Sequence, residues 1–210
     1  MTAKARSPLS GDWRFLPGVP AEGSLLLIGS DEALAGHLAL SYEQVTPMNA
    51  TQVVERLSVE PAAFDLVAIP DLRYLLNLTA EAQRPQRIFG PVLQAAHRLS
   101  RPGGVLYVGF GGRWPFRRLP WGDRQGFTAG QVGGWLRRAG FSSLTYFGAI
   151  PDHRMPLYLF PLQGAATGFV LGRHLKKLRP AWLREWLARP GLARWGQAWL
   201  PGYAIVAKMY

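Results

Sequence analysis

Cysteine is absent from the chain. That excludes disulfides, thiolate metal sites and cysteine nucleophiles, and it suits a reducing compartment. Long apolar runs are absent as well: none approaches the roughly 20 residues that span a bilayer, and the N-terminus carries no apolar signal-peptide core. These absences predict a cytoplasmic protein. Acidic residues are scarce, 13 Asp and Glu against 24 Lys and Arg, for a net charge of +11. Such a balance points to an anionic partner: nucleic acid, a phospholipid surface or an anionic small molecule. Histidine is scarce too, with 4 in the chain. His37, His97 and His174 fall in helical patterns, and the four show no metal-ligand spacing. No metal is expected.

What is present is a globular composition, 48% hydrophobic and 18% charged over 210 residues, enough for one domain with appendages. The chain is organised around Phe64 to Gly112. Phe64 to Ile69 (FDLVAI) is a short apolar run of the kind a buried strand needs. Ile88, Val92, Leu93, Ala96 and Leu99 recur at helical spacing. Arg101-Pro102-Gly103-Gly104 stops that helix, and Val105 to Phe110 is a second strand. Strand, helix and strand make a βαβ unit with parallel, right-handed connection.

Upstream, residues 1–23 form a polar arm broken by Pro8, Pro17 and Pro20, pinned by Trp13, Phe15 and Leu16. Ser24 to Gly29 is a buried strand and Glu32 to Leu40 a helix, with Ser30 or Asp31 as its cap. Tyr42 to Met48 alternates like a strand. Asn49 caps a helix over Ala50 to Val59, whose buried face is Val53, Val54 and Leu57. Downstream, Thr128 caps a helix over Ala129 to Ala139, and Leu144 to Ile150 is another strand. Residues 164–200 are a basic, Trp-rich helical insertion, and Tyr203 to Met209 is a last strand.

The stretch "FDLV … RLSRPGGVLYVGF" resembles the later half of the class I S-adenosylmethionine-dependent methyltransferase fold. Phe127-Thr128 followed by Val132, Leu136 and Ala139-Gly140-Phe141 is similar to the segment before that family's sixth strand. The resemblance covers most of Ser24 to Pro151. It implies an α/β fold: a mostly parallel Rossmann-like sheet, helices on both faces, and an antiparallel C-terminal strand. The chain then divides into the arm (1–23), the core (24–163), the insertion (164–200) and the final strand (201–210). Only a few residues, Pro61, Ala62 and Ala63 among them, separate the helix at Ala50 from Phe64, so the family's third strand has no room and the sheet is shortened.

The resemblance also implies S-adenosylmethionine as cofactor and places its site. Gly29, Ser30 and Asp31 stand where the family has a glycine-rich loop. Here Gly29 is alone, and Leu27 stands where an acidic residue is usual. Met48 and Asn49 occupy the place of the ribose-binding acid. An ordinary strand-to-helix turn accounts for Gly29 to Asp31 equally, and a helix cap is the plainer reading of Asn49. Pro70, Asp71 and Tyr74 follow the next strand, at the carboxyl ends where open α/β sheets bind ligands. Asp71 is the first candidate for a base or substrate contact and Tyr74 the second; a helix cap and a packed aromatic are the plainer readings.

The loop after the next strand holds Arg113, Trp114 and Arg117 among further aromatics. Guanidinium forks suit phosphate or carboxylate, and aromatic planes suit a sugar or base, so these three are candidate substrate contacts; a self-packed flap is the alternative. Pro151 to Leu162 is similar to a step in methyltransferase-like proteins of sugar and cell-surface pathways. Within it, Asp152 and Arg154 are candidate substrate contacts, and His153 is the histidine with polar neighbours suited to acid–base work.

Two functions follow. One is a methyltransferase acting on an oxygen or nitrogen of an anionic or sugar-containing small molecule. The other is a catalytically inactive methyltransferase-like partner or scaffold. It would bind a protein or, through the Trp-rich segment, the inner face of a membrane. Nucleic acid, supported only by charge and aromatics, ranks last.

Overall fold

The computed structural model describes residues 12–29, 32–56, 63–78, 85–112, 126–150, 153–154, 156, 158–163, 165–167, 169–170 and 200–209. Its centre is a seven-stranded sheet in the order β2-β1-β3-β4-β7-β5-β6. The strands are β1 (Ser24–Ile28), β2 (Gln44–Met48), β3 (Phe64–Ile69), β4 (Ser100–Gly111), β5 (Ser143–Ile150), β6 (Tyr158–Pro161) and β7 (Gly202–Lys208). The first four neighbours run parallel. β7 enters antiparallel between β4 and β5, from Val105↔Lys208 to Gly111↔Gly202 on one side. The expected antiparallel final strand therefore stands beside the second strand of the βαβ unit.

Unbroken apolar runs in β1 and β3 are what a strand covered on both faces requires. Alternate residues serve two cores. Leu26, Ile28, Val67, Ile69, Leu106, Val108 and Ile205 face helices α2 (Ala50–Arg56), α3 (Pro85–Leu99) and α4 (Ala129–Arg138). Leu25, Leu27, Leu66, Ala68, Tyr107 and Val206 face α1 (Glu32–Leu38) and the N-terminal arm.

The shortened sheet is as expected: β2 is its edge, with no further strand beyond it among the described residues. Both edge strands carry a proline, Pro47 on β2 and Pro161 on β6, and proline cannot donate to a neighbouring ladder.

Several local readings are corrected. The Pro-Gly-Gly step is not a turn before β4 but lies within it: the register shifts between Phe64 and Leu66, and Gly103 takes φ +78°. β6 pairs antiparallel with β5, a hairpin the sequence pattern did not mark. Val54 is exposed on α2, so Val53 carries that face; Leu57 lies outside the described residues. The cap at Thr128 is present as a reciprocal box, in which Thr128 Oγ1 accepts from the Gln131 amide and Gln131 Oε1 from the Thr128 amide. Most of residues 164–200 lie outside the described region, including every Trp of the insertion.

The arm is part of the domain. A 3₁₀ turn over Asp12–Phe15 buries Trp13, whose ring stacks on Tyr107 of β4 at 4.8 Å. Leu16 is buried beside it. Phe15 is 80% exposed and does not pin the arm, because one short turn can aim only some of its side chains inward. The Tyr42 hydroxyl donates to the Pro20 carbonyl at 2.8 Å, and burial pushes its pKa up to about 12 against the opposing pull of Arg14. Trp13→Ala is expected to cost about 3–5 kcal/mol. Urea unfolding reads this as a lower midpoint at unchanged slope; an unchanged midpoint would make the arm an independent appendage.

Candidate active site

The chain leaves β1 for β2 on one side and returns to β3 on the other. That reversal falls at the carboxyl ends of β1 and β3, the place at which ligands of open α/β sheets bind. Gly29 ends β1 with φ +70°, a conformation few other residues adopt, and its amide donates to the Met48 carbonyl at 3.0 Å. The 3₁₀ helix Leu72–Leu78 lies directly against it: a Cβ on Gly29 would sit 3.3 Å from Tyr74 Cβ and 3.4 Å from Leu75 Cδ2. Ser30 and Asp31 lie outside the described residues. At the end of β2, Met48 packs on the core. Asn49 Oδ1 accepts from the Gln52 amide and Gln52 Oε1 from the Asn49 amide, both at 2.9 Å, so the side-chain oxygen of Asn49 caps α2.

Pro70 and Asp71 are buried at the end of β3. Asp71 is the hub of the site. Its Oδ1 accepts from the Arg73 amide and Nε, each at 3.0 Å, and its Oδ2 from Arg73 Nη2 at 2.8 Å. His153 Nε2 stands 3.3 Å from Asp71 Oδ1, and the imidazole has no exposed surface. Burial alone would raise the Asp71 pKa. Hydrogen bonding and charge from His153 and Arg73 outweigh it and hold the carboxyl well below the usual range. An anion held that firmly is a weak base and a strong orienting group. Below it lies Tyr107, its phenol pKa pushed up by burial and by the Asp71 charge. Tyr74, half-buried, donates its backbone amide to the Asp71 carbonyl at 3.0 Å.

Asp71 and Tyr74, three residues apart, are thus joined by the distant His153 at one end of the sheet, with Gly29, Pro70 and half-buried Arg154. Arg113, Trp114, Arg117 and Asp152 lie outside the described residues. The feet of the loop carrying the first three are fixed: Gly112 bridges Phe127, and the Phe127 amide donates to the Gly111 carbonyl at 3.0 Å. That loop therefore leaves and re-enters at the carboxyl end of β4. Sequence reading missed Arg73. Its signal was the Asp-Leu-Arg spacing, which lets one carboxylate take both the backbone and the guanidinium two residues on.

An open cavity of about 520 Å³ lies at the opposite, amino end of the strands, lined by Glu22, Gly23, Glu43, Asp65 and Arg101 to Gly104. Asp65 is committed to structure there. Its Oδ2 accepts from the Ser24 amide and hydroxyl at 2.9 and 2.6 Å, and Arg101 pairs with it. Those Ser24 bonds, helped by Arg101, outweigh burial and lower its pKa. Among the described residues no cluster suits a metal ion, and no helix is long and apolar enough to cross a membrane.

No family model matches this chain, and no curated protein sequence matches it. Solved structures do. A SAM-dependent methyltransferase from Archaeoglobus fulgidus superposes with TM-score 0.52 at 12% identity, over 93% of this chain and 90% of that one. Phosphoethanolamine N-methyltransferase 2 from Haemonchus contortus, in complex with S-adenosyl-L-methionine, superposes with TM-score 0.51 at 12% identity, over 94% of this chain and 50% of that one. At such identity the likeness is one of fold, and the fold is that of the class I S-adenosylmethionine-dependent methyltransferases.

Proposed function

We propose that this chain is an S-adenosylmethionine-dependent methyltransferase acting on an oxygen or nitrogen of an anionic or sugar-containing small molecule. The observation that carries the reading is the buried Asp71–His153 pair at the carboxyl end of β3, beside the left-handed turn at Gly29. The residues fit the cofactor's needs. Gly29 offers a left-handed turn at the end of β1, and the 3₁₀ helix packed on it would have to make room for the ligand. Asn49 uses its oxygen in the cap, which leaves the amide nitrogen as the group to reach a ribose hydroxyl. Pro70 and Asp71 would floor the site, flanked by Ser30, Asp31 and Met48. When bound, S-adenosylmethionine supplies an electrophilic methyl group.

The protein's part is alignment and one proton. In this reading His153, buried in the ligand-free chain, takes the proton from an acceptor hydroxyl or amine that gains access to its Nδ1 edge, and Asp71 orients the imidazole from the Nε2 side and stabilises its charged form. Tyr74 lines the donor side. Arg154, with Arg113, Trp114, Arg117 and Asp152, would hold the acceptor; the net charge of +11 supports an anionic one.

A second reading is a partner or scaffold protein without the reaction, membrane-associated through residues 164–200. One observation favours it: the 3₁₀ helix packs onto the Gly29 turn at contact distance, on a sheet that ends at β2. Labelled S-adenosylmethionine offered with a panel of phosphorylated, carboxylated and neutral sugars separates the two. The first reading expects label in an anionic acceptor, and a loss of about 100-fold or more in kcat for His153→Ala with cofactor affinity unchanged. No transfer and no cofactor affinity would leave the scaffold.

A further inference from the structure

The end of the sheet beneath the Asp71 cluster is bare. Gly109 and Gly111 of β4 and Gly202 of β7 lie on the face that carries Tyr107 and Ala204. Each sits under one member of the cluster. A Cβ on Gly202 would lie 2.5 Å from the His153 amide nitrogen and 3.0 Å from its Cβ. A Cβ on Gly109 would collide with the carbonyl oxygen of Pro70, the residue before Asp71, and lie 3.1 Å from the Tyr107 hydroxyl. A Cβ on Gly111 would meet the Arg73 guanidinium at 3.6 Å, an ordinary contact.

We infer that Gly202 and Gly109 are positioning residues: they let the backbones of His153 and Pro70 rest directly on the sheet, and this sets the distance between His153 and Asp71. The importance of that distance for methyl transfer rests on the function proposed above; the seating itself does not. β7 and β4 are paired to each other and to further strands, so the floor is rigid. A methyl group at Gly202 lifts His153, and one at Gly109 lifts Asp71. A methyl group at Gly111 disturbs neither, since Arg73 meets it at normal contact.

The experiment is nitrogen NMR of ¹⁵N-histidine-labelled full-length protein, without cofactor. The chain holds 4 histidines, and His153→Gln assigns the signal of interest. Asp71→Asn gives the ring-nitrogen signals of His153 with its carboxylate removed. In Gly202→Ala the His153 signals are expected to leave their wild-type positions toward those of Asp71→Asn, while Gly111→Ala retains wild-type signals. Unmoved signals in Gly202→Ala, or an equal movement in Gly111→Ala, would overturn the inference. If Gly202→Ala does not fold, Gly109→Ala carries the same expectation; if neither folds, the two glycines serve the fold and not the pair. Intact His153 signals in a wild-type protein that transfers no methyl group would count against the proposed function and leave the seating standing.

Discussion

Asp71→Asn is expected to lower the unfolding free energy by about 3–5 kcal/mol, because it leaves a buried partner charge uncompensated. The amide keeps the shape of the carboxylate, so no cavity confounds the result. What disappears is the charge that three Arg73 donors and His153 face. Domains of this size hold only about 5–15 kcal/mol in total, so the melting temperature should fall by roughly 10 °C. The same carboxylate sets the acid limit of the wild type. Its folded pKa is lowered, so its contribution is full above the unfolded value near 3.9 and is lost as pH falls toward the folded one. The wild type should therefore lose stability steeply below about pH 4, and Asp71→Asn much less steeply. Urea unfolding of both proteins at neutral pH and at acid pH reads the difference. Parallel profiles would mean that Asp71 is not the charge the site is built on.

Gly29→Val is expected to remove S-adenosylmethionine binding from a chain that still folds. A β-branched residue at φ +70° is strained, at a cost of about 1–2 kcal/mol. Its Cβ also starts 3.3 Å from Tyr74 Cβ, so the 3₁₀ helix must retreat and carry Arg73 with it. The expected result is unchanged far-ultraviolet circular dichroism, melting a few degrees lower and no measurable cofactor affinity. Wild-type affinity in this variant would put the cofactor somewhere other than the Gly29 turn.

The elements that sequence revealed are those in which one residue pattern admits one environment. SLLLI and FDLVAI are apolar at every position but Ser24 and Asp65, and only a strand covered on both faces tolerates that. Thr128 followed by Gln131 makes a cap that needs no tertiary partner. The omission of a strand before Phe64 was legible as missing length. What was not legible depends on where the chain returns in space. Tyr158 to Pro161 is short and ends in proline, so nothing local marks it as the partner of β5. Asp71 and His153 were each visible as polar residues at strand ends, but their pairing follows from β7 drawing residue 153 across the sheet. Gly109 stood at the end of an expected strand and Gly202 in an expected turn; only the backbones crossing above them explain the absent side chains.

Isothermal titration calorimetry of the full-length chain with S-adenosylmethionine and S-adenosylhomocysteine tests the central claim most directly. Micromolar binding of both, near −8 kcal/mol, is expected, and its loss in Gly29→Val. Absence of binding at millimolar ligand would contradict it and leave a methyltransferase fold that serves as a partner or scaffold.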